Sequence, residues 1–475
     1  MLSDLVEKYI AENKLIEKRA IPGKQTQETI KFYDRVPFDI IVPYGCADAR
    51  GTFSLAKHQI ESIKKQSVQA SPSMPTVQSV MENERRLTHT IFRMEEIGVR
   101  VDRQYTVRAA RYETDRAEKM AQEYKRITGR DFKSSSKEFA AIFESDKSKW
   151  EYTEKGNPSF DSSVIKNFEH PAAKLVLEIR DAKSKADYYQ GFLYHSDLNG
   201  DIHPNYNPHG AAHGRFSSSA PNFQNLTSEE GEEEKEFLIR RAIVPRPGFV
   251  FIMPDYQQME YALMFELACR LVGKETPIVK EIKNGKDPHQ ATADLVTAMG
   301  TPLIRARAKT GNFALLYGAG DQRLSETLGG TVDDAKRLRG NIFSVAPEIN
   351  EFIRTVTHTA GSRGYIFNWL GRRCYFPGGE FAFRAPNYLV AGGCADVVKV
   401  AMNRIDDFLM NKISRMVMTV HDEIVCEVAH SELETVPKGI KEILETVFPA
   451  QYLPLTTSME WSDKSLADKK KGFPV

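Results

Sequence analysis

Residues 415–428 read RMVMTVHDEIVCEV, two short apolar runs separated by the polar triplet His421-Asp422-Glu423. This pattern predicts a β-hairpin that carries polar side chains at its tip. A second apolar run, GFVFIMPD at residues 248–255, ends in a carboxylate and predicts a buried strand. Each aspartate alone is typical of a turn or a helix cap. Together, the strand and the hairpin can place Asp255 and Asp422 side by side in one sheet.

Between these two runs lies a predicted helix that combines cations with aromatic residues, RARAKTGNFALLYG at residues 305–318. Arg305, Lys309, Phe313 and Tyr317 follow one another at four-residue steps, so their side chains lie along one helix face. A core stripe would not contain the two cations, and a solvated face would not contain the two aromatic rings. Cations followed by aromatics suit a nucleotide, with phosphates at one end and sugar and base at the other.

The composition sets outer limits on fold and function. The chain has 475 residues, 41% hydrophobic and 27% charged, which is typical of a globular protein with several packed subdomains. A formal net charge of +1 neither supports nor excludes nucleic-acid binding, because a groove needs only local positive charge. The five cysteines form no C-x-x-C pair, which argues against a disulfide framework or a structural zinc site. No apolar stretch is long enough to predict a membrane span, so we expect no membrane partner.

Periodicity and composition divide the chain into segments. In chain order, the predicted segments are a mostly helical start (1–65), a Ser- and Pro-rich linker (66–78), a helical stretch (79–130), a polar looped stretch (131–165), a helix (170–193), a Gly-, Ser- and Asn-rich loop (207–226), an acidic solvated run (231–236) and a helical region (260–362).

Five blocks of the sequence resemble the motifs of family A DNA polymerases, the type of bacterial DNA polymerase I and many phage replicases. They occur in the family's order between about residue 80 and the end of the sequence. The blocks are HGRFSSSAPNFQNL (213–226), DYQQME (255–260), the helix from Arg305 to Gly318, GYIFNWLGRRCYFP (364–377) and VHDE (420–423). One such match is weak evidence, whereas five in order are specific.

The resemblance implies an α+β fold of the right-hand polymerase type, with an antiparallel sheet in the palm and helical fingers and thumb. A helical remnant of an exonuclease domain is expected to precede it. The implied regions are the exonuclease-like segment (1–65), the linker (66–78), a thumb-like helical region (79–206), the first part of the palm (207–270), the fingers (271–363) and the second part of the palm (364–475).

The implied function is template-directed DNA synthesis, in which deoxynucleotides are added to a primer 3′ end and pyrophosphate is released. Asp255, Asp422 and the backbone carbonyl of Tyr256 would bind two Mg²⁺ ions, for which Mn²⁺ can substitute. Glu423 would support this site. Lys309 would protonate the leaving group.

The resemblance also implies contacts to the deoxynucleoside triphosphate and to primer–template DNA. Glu260 would lie under the 2′ position of the sugar and exclude ribose. The other implied nucleotide contacts are Arg305, His289, Phe313, Tyr317 and Gln258. The implied contacts to the DNA minor groove, which check pair shape rather than sequence, are Arg215, Gln224, Asn225, Arg384, Asn387 and His421.

Four positions depart from the family pattern without touching the metal ligands. His213 stands where Thr is usual, and Pro254 stands where a small residue is usual before the metal aspartate. Gly311 lies inside the nucleotide-binding helix, where it costs roughly 1 kcal/mol relative to Ala. Ala391 replaces a Gln that contacts the template in many relatives, so no role is assigned to it.

Upstream, Tyr44, Asp48 and Thr52 lie at four-residue steps and resemble the last motif of a 3′–5′ proofreading exonuclease. Residues 1–47 contain no D-x-E, the motif from which that site draws its other carboxylates. A chance Y-x-x-x-D on a helix is the other interpretation. The expectation is a truncated exonuclease domain, completed by a separate polypeptide that docks on residues 1–65.

Two other functions compete with DNA synthesis. A single-subunit RNA polymerase shares the palm aspartates and the helix Lys and Tyr, but Glu260 and Phe313 argue against ribonucleotide use. A non-catalytic DNA-binding subunit on a polymerase fold would not need Asp255, Asp422 and Lys309 together. The cytoplasm is the expected location, that of a bacterial host if the protein comes from a phage.

Overall fold

The computed structural model describes residues 2–20, 27–68, 75–153, 155–226 and 236–474. Residues 69–74 of the predicted linker and 231–235 of the predicted acidic run lie outside these ranges. The helices are α1 (Leu2–Glu12), α2 (Phe38–Val68), α3 (Val77–Ile97), α4 (Arg103–Thr128), α5 (Ser136–Ile142), α6 (Ser162–Ile165), α7 (Ala172–His195), α8 (Met259–Val272), α9 (Pro277–Lys283), α10 (Pro288–Ala298), α11 (Arg305–Leu316), α12 (Asp321–Leu328), α13 (Val332–Val345), α14 (Pro347–Arg363), α15 (Ala385–Leu409) and α16 (Val436–Thr446).

The strands are short apart from those of one central sheet. They are β1 (Ile16–Ala20), β2 (Gln27–Lys31), β3 (Val99–Arg100), β4 (Glu151–Tyr152), β5 (Pro158–Ser159), β6 (Asp201–Ile202), β7 (Asn205–Asn207), β8 (Ser217–Ser219), β9 (Phe249–Tyr256), β10 (Tyr365–Phe367), β11 (Arg373–Tyr375), β12 (Arg415–Val420), β13 (Glu423–Ala429), β14 (Thr457–Ser462) and β15 (Lys470–Lys471).

The central sheet has the antiparallel order β12-β13-β9-β14-β15. Both predicted sheet elements are therefore confirmed: residues 248–255 form most of β9, and residues 415–428 form the β12–β13 hairpin. The helical prediction for residues 260–362 is also confirmed, since α8 to α14 occupy that stretch.

The sheet is buried on both of its faces. Val250 and Ile252 of β9 belong to a core formed with α3, α8, α14, α15 and α16, whereas Phe251 and Met253 belong to a core formed with α4 and α7. Alternate residues of a strand point to opposite faces, so both sets of positions must be apolar. This double burial explains why β9 is an unbroken apolar run.

One prediction about secondary structure was incomplete and another was wrong. The mostly helical start contains the hairpin β1–β2, which pairs Ile16 with Lys31 and Ala20 with Gln27. The stretch 131–165 is not simply looped, because α5 and α6 lie within it and its aromatic residues build a separate core. Phe139 and Phe143 are fully buried there.

No helix in the described ranges is both long and apolar enough to pass through a bilayer.

Candidate active site

The two predicted aspartates meet at one end of the central sheet. β13 pairs with β9 so that Cys426 faces Ile252 and Ala429 faces Phe249. Continued along both strands, this register brings Glu423 opposite Asp255, and Asp422 directly precedes Glu423 at the hairpin turn. The sheet thus gathers three carboxylates from segments far apart in the sequence.

Negative charge dominates this end of the sheet. Loss of hydration, followed by repulsion from Glu423 and Asp422, raises the pKa of Asp255 to about 6. Burial is also the main cause that raises the pKa of Asp422. Glu423 differs from the two aspartates in forming direct ion pairs, because Lys469 Nζ lies 2.5 Å from its Oε1 and Arg240 NH1 lies 3.5 Å from its Oε2. The two aspartates therefore carry charge that a bound cation could balance.

The donors at this end of the sheet fit a hard cation. Asp255 and Asp422 supply carboxylate oxygens, and Tyr256 adds a backbone carbonyl, all of which are ligand types that Mg²⁺ prefers. Tyr256 is fixed by its buried hydroxyl, which donates to the Leu444 carbonyl at 2.8 Å. No group of three or more His, Cys, Asp and Glu side chains in the described residues forms a metal cluster. A site here thus needs oxygens from the backbone or the substrate.

Gln224 lies beneath the hairpin turn rather than on an open surface. Its side chain is buried, with Nε2–H donating to the Thr419 carbonyl at 2.7 Å and Oε1 accepting from the His421 backbone N–H at 3.0 Å. His421 itself has a φ of 54°, in the left-handed region that non-glycine residues rarely adopt. Gln224 therefore supports the turn that carries Asp422, and its contact to the minor groove stays a prediction.

The predicted nucleotide-binding helix is α11. It ends at Leu316, so Tyr317 and Gly318 follow it rather than belong to it. Arg305 and Lys309 are exposed, and Lys309 Nζ lies 5.9 Å from the centre of the Phe313 ring. The rings of Phe313 and Tyr317 are stacked, with centres 6.2 Å apart. The predicted face of cations followed by aromatics is therefore present.

The departure at Gly311 has a packing cause. A Cβ added there would lie 2.6 Å from Ile342 Cδ1 and 3.1 Å from Leu338 Cδ2, both on α13. Glycine therefore permits α13 to lie close against the back of α11.

Glu260 connects α11 with the predicted DNA-binding loop. Its Oε2 accepts from the Tyr317 hydroxyl at 3.0 Å, and its Oε1 accepts from Arg215 NH2. Loss of hydration and the charge of Glu260 raise the pKa of Tyr317 to about 12. One carboxylate, predicted to lie under the sugar, thus holds both a predicted nucleotide contact and a predicted DNA contact.

His289 is more enclosed than expected for a phosphate ligand. It is 3% exposed, and its ring packs against those of Tyr261 and Phe313, with ring centres 4.6 Å and 5.7 Å away. Its Nδ1 lies 3.3 Å from Asn312 Nδ2. In this structure His289 packs beside the Phe313 ring, and its contact to the triphosphate stays a prediction.

A cavity of about 840 Å³ opens beside α11. Five predicted residues line it: Lys309, Phe313, Tyr317, Arg384 and Asn387. The Arg384 guanidinium stacks on two exposed rings, 4.9 Å from the centre of Phe381 and 5.5 Å from that of Phe383. The Asn387 Nδ2 group is buried without an acceptor among the described residues. A residue that lines the cavity thus carries a hydrogen-bond donor without a partner.

The remaining predicted residues lie at the edges of the site. Asn225 is exposed, and its backbone carbonyl accepts from the Tyr188 hydroxyl at 2.7 Å. Gln258 donates to Asp287 at 2.6 Å, and Asp287 also pairs with Arg305 at 2.9 Å. Asp287 was not predicted; its only sequence signal is an Asp-Pro pair, typical of a helix start.

Comparison with known proteins agrees with this geometry. The model of DNA polymerase family A matches residues 104–466. The chain is 30% identical to the thermostable DNA polymerase I of Thermus thermophilus over 82% of its own length and 48% of that relative. It is 27% identical to DNA polymerase I of Borreliella burgdorferi over 95% of its length and 50% of that relative. The chain therefore spans about half the length of these curated relatives.

A solved structure shares the architecture. It is the POL domain of Pol1 from M. smegmatis in complex with DNA primer-template and dNTP, with a TM-score of 0.72, 26% identity, and coverage of 81% of this chain and 70% of that one. The predicted α+β right-hand polymerase fold is thereby confirmed. The matched family model covers most of the chain, and the chain belongs to DNA polymerase family A.

Proposed function

We propose that this chain catalyses template-directed DNA synthesis, adding deoxynucleotides to a primer 3′ end with release of pyrophosphate. The observation that carries the proposal is the meeting of Asp255 and Asp422 at the sheet end, close to the cationic and aromatic face of α11. Asp422 acts electrostatically on both Arg215 and Tyr317, which ties the carboxylates to that face. The relative of known structure binds primer-template and dNTP, which supports the same substrates here.

Asp255, Asp422 and the Tyr256 carbonyl would hold two Mg²⁺ ions, and Mn²⁺ could replace them. When bound, such ions lower the pKa of an attacking hydroxyl and stabilise negative charge on the phosphates. Lys469 and Arg240 keep Glu423 in place beside the aspartates. The role of Glu423 is therefore to support the site and not to bind metal directly.

On the α11 side, Arg305 and Lys309 would bind the triphosphate. Lys309 has no ion-pair partner among the described residues, so its ammonium group is available to donate a proton to the leaving pyrophosphate. Phe313 and Tyr317 would pack on the sugar and the nascent base pair. Glu260, held by Tyr317 and Arg215, would fill the space that a ribose 2′-hydroxyl needs.

Primer–template DNA would lie along the predicted minor-groove residues. Arg215, His421 and Asn225 border the carboxylate end, and Arg384 and Asn387 border the cavity. Asn387 carries the strongest support, because a buried amide donor without a partner is costly unless a ligand accepts its hydrogen bond.

The test is single-nucleotide primer extension with Asp255→Ala and Asp422→Ala. Each variant should lose extension, while DNA affinity stays close to wild type because phosphate contacts elsewhere supply it. Asp333→Ala, which removes an exposed carboxylate on α13, is the control that should extend normally. Extension by either site variant at more than about a hundredth of the wild-type rate would show that the metal assignment is wrong.

Two further measurements distinguish DNA synthesis from the two competing functions. Preference for ribonucleotides over deoxynucleotides in the same assay would favour an RNA polymerase, against the position of Glu260. Binding of primer–template without any extension by the wild type would favour a non-catalytic subunit.

We further propose that a separate polypeptide completes an exonuclease site on residues 1–65. The hydrogen bond with the Asp48 side chain raises the pKa of Tyr44, which supports a pairing of these two residues. One carboxylate cannot hold two divalent ions, since affinity for hard cations grows with the number of charged oxygens. The chain alone should therefore leave a mismatched primer end intact in Mg²⁺ without nucleotides. Metal-dependent shortening from the 3′ end, lost in Asp48→Ala, would contradict this proposal.

The surface of α2 supports such a partner. Several of its exposed apolar side chains recur at helical spacing, namely Phe38, Val42, Ala49, Phe53, Ala56 and Ile60, and Leu55 is exposed on another side of the helix. Phe38 is 82% exposed and Phe53 72% exposed, which is typical of a surface that another protein covers. A purified exonuclease partner should bind wild type but not Phe53→Glu. A phage source and action in the cytoplasm remain predictions.

A further inference from the structure

The Asp287 carboxylate joins three segments at the start of α11. It accepts from Arg305 Nε and NH2, each at 2.9 Å, and from Gln258 Nε2 at 2.6 Å. It also caps α10 by accepting from the Gln290 backbone N–H at 2.9 Å. Arg305 and Gln258 are both proposed nucleotide contacts, whereas Asp287 has no role in the proposed reaction.

The geometry leaves Arg305 able to bind a second anion. A guanidinium carries five N–H groups in one plane. Asp287 uses one on Nε and one on NH2, so both N–H groups of NH1 and the second of NH2 remain available. The Arg305 side chain is 49% exposed, and an unpaired arginine in that setting samples many rotamers. The paired guanidinium is held in one orientation before any ligand arrives.

Helix capping does not account for this arrangement. A cap needs one acceptor, and Asn or Ser provides it about as well as Asp. Burial would raise the pKa of Asp287, but the hydrogen bonds from Arg305, Gln258 and Gln290 outweigh it and hold the pKa well below its usual range. A permanent negative charge beside an anion site is unfavourable by itself. The Asp287 charge favours binding only if the free energy gained by orienting Arg305 exceeds the repulsion between Asp287 and the bound anion.

We propose that Asp287 is a positioning residue for the triphosphate of the incoming nucleotide, holding Arg305 and Gln258 with their remaining N–H groups directed to the phosphates. This inference rests on the proposed function and deepens it. It separates two kinds of anion-binding side chain on α11: Arg305 is oriented in advance by a partner, and Lys309 is not.

The direct test uses inorganic tripolyphosphate and isothermal calorimetry on the full chain. Asp287→Asn and Asp287→Ser both retain a helix cap, and each should bind tripolyphosphate about 3- to 10-fold more weakly than wild type, the range expected when one side chain must be ordered on binding. Arg305→Ala should weaken binding at least as much, and adding Asp287→Asn to it should have a smaller effect than in the wild type, because only Gln258 then remains to be oriented. Asp102→Asn, at the cap of α4 where Asp102 accepts from Tyr105 N–H at 2.9 Å, is the matched control.

Steady-state kinetics give a second test, because KM for the deoxynucleotide should not change if Asp287 has a purely structural role. In primer extension, Asp287→Asn should raise KM for the deoxynucleotide by the same factor and leave kcat within about 2-fold. Urea unfolding midpoints should match that of Asp102→Asn.

The outcomes distinguish this inference from the proposed function. Tighter or unchanged tripolyphosphate binding by the Asp287 variants would overturn the inference, because the carboxylate would then act as a competing charge or not at all. So would the absence of tripolyphosphate binding by the wild type. Wild-type binding without primer extension would instead refute the proposed function and leave the anion site standing.

Discussion

Replacing Gln224 with Ala separates a structural role for this residue from a DNA contact. The side chain fills a buried position under the β12–β13 turn and uses both ends of its amide, to the Thr419 carbonyl and the His421 N–H. Alanine removes both hydrogen bonds and leaves a small cavity. A buried polar group that loses its partner costs about 1–3 kcal/mol, so two groups predict a loss of about 2–6 kcal/mol in the free energy of unfolding.

The same change should reduce catalysis through Asp422. His421 is held at a φ of 54°, a conformation that costs about 1–3 kcal/mol and persists only while its surroundings enforce it. Without the Gln224 amide the turn can relax, and the adjacent carboxylate moves with it. A displacement of about 1 Å at a reacting centre can cost about 10²-fold in rate, which sets the expected loss in single-turnover incorporation.

Urea unfolding, single-turnover incorporation and primer–template affinity together test this prediction. Gln78→Ala is the matched control, since its exposed amide donates only to Glu82, one turn away on α3. The control should unfold within about 0.5 kcal/mol of wild type. If Gln224→Ala also unfolds like wild type, keeps its rate and loses only DNA affinity, Gln224 is a groove contact and the reasoning above is wrong.

Three further substitutions probe α11 and its neighbours. Phe313→Tyr should ease incorporation of dideoxynucleotides, because a phenol hydroxyl can replace the hydrogen bond of the missing 3′-hydroxyl; unchanged discrimination would remove Phe313 from the sugar pocket. Glu260→Ala should raise ribonucleotide incorporation or slow all incorporation, since it frees both Tyr317 and Arg215; wild-type rate with wild-type ribose rejection would count against its role. Gly311→Ala should destabilise the chain by up to about 2 kcal/mol, because overpacking against Ile342 costs about 1–3 kcal/mol and the helix gains about 1 kcal/mol from alanine; a rise in the urea midpoint would show that α13 yields instead.

The parts of the site that could be predicted from the sequence are those whose pattern lies within one short segment of the chain. The apolar runs of β9 and the hairpin are strong because both faces of the sheet are buried, and the face of α11 follows from four-residue spacing alone. Glu260 was predicted as a contact to the sugar, but its simultaneous bonds to Tyr317 and Arg215 join residues that no local pattern connects.

The parts that were missed depend on long-range partners or on weak local signals. Gln224 is buried by Thr419 and His421, which lie on a hairpin almost two hundred residues later in the chain. Asp287 looks like an ordinary helix cap until Arg305 is placed beside it. The β1–β2 hairpin was missed because its strands, IEKRA and QETIK, carry many charges and no apolar alternation.

The order of strands in the central sheet has a consequence for how the protein is made. β9 at residues 249–256 finds its neighbours only in β13 at 423–429 and in β14 at 457–462, so the sheet cannot close until nearly the whole chain has left the ribosome. Contacts between segments so far apart in sequence form slowly. Until then β9, which is apolar on both faces, stays exposed on the nascent chain. Exposed apolar segments of nascent chains aggregate or bind chaperones. Slow translation after residue 256 would therefore lengthen the exposure of β9 and lower the yield of folded protein more than slow translation before residue 256.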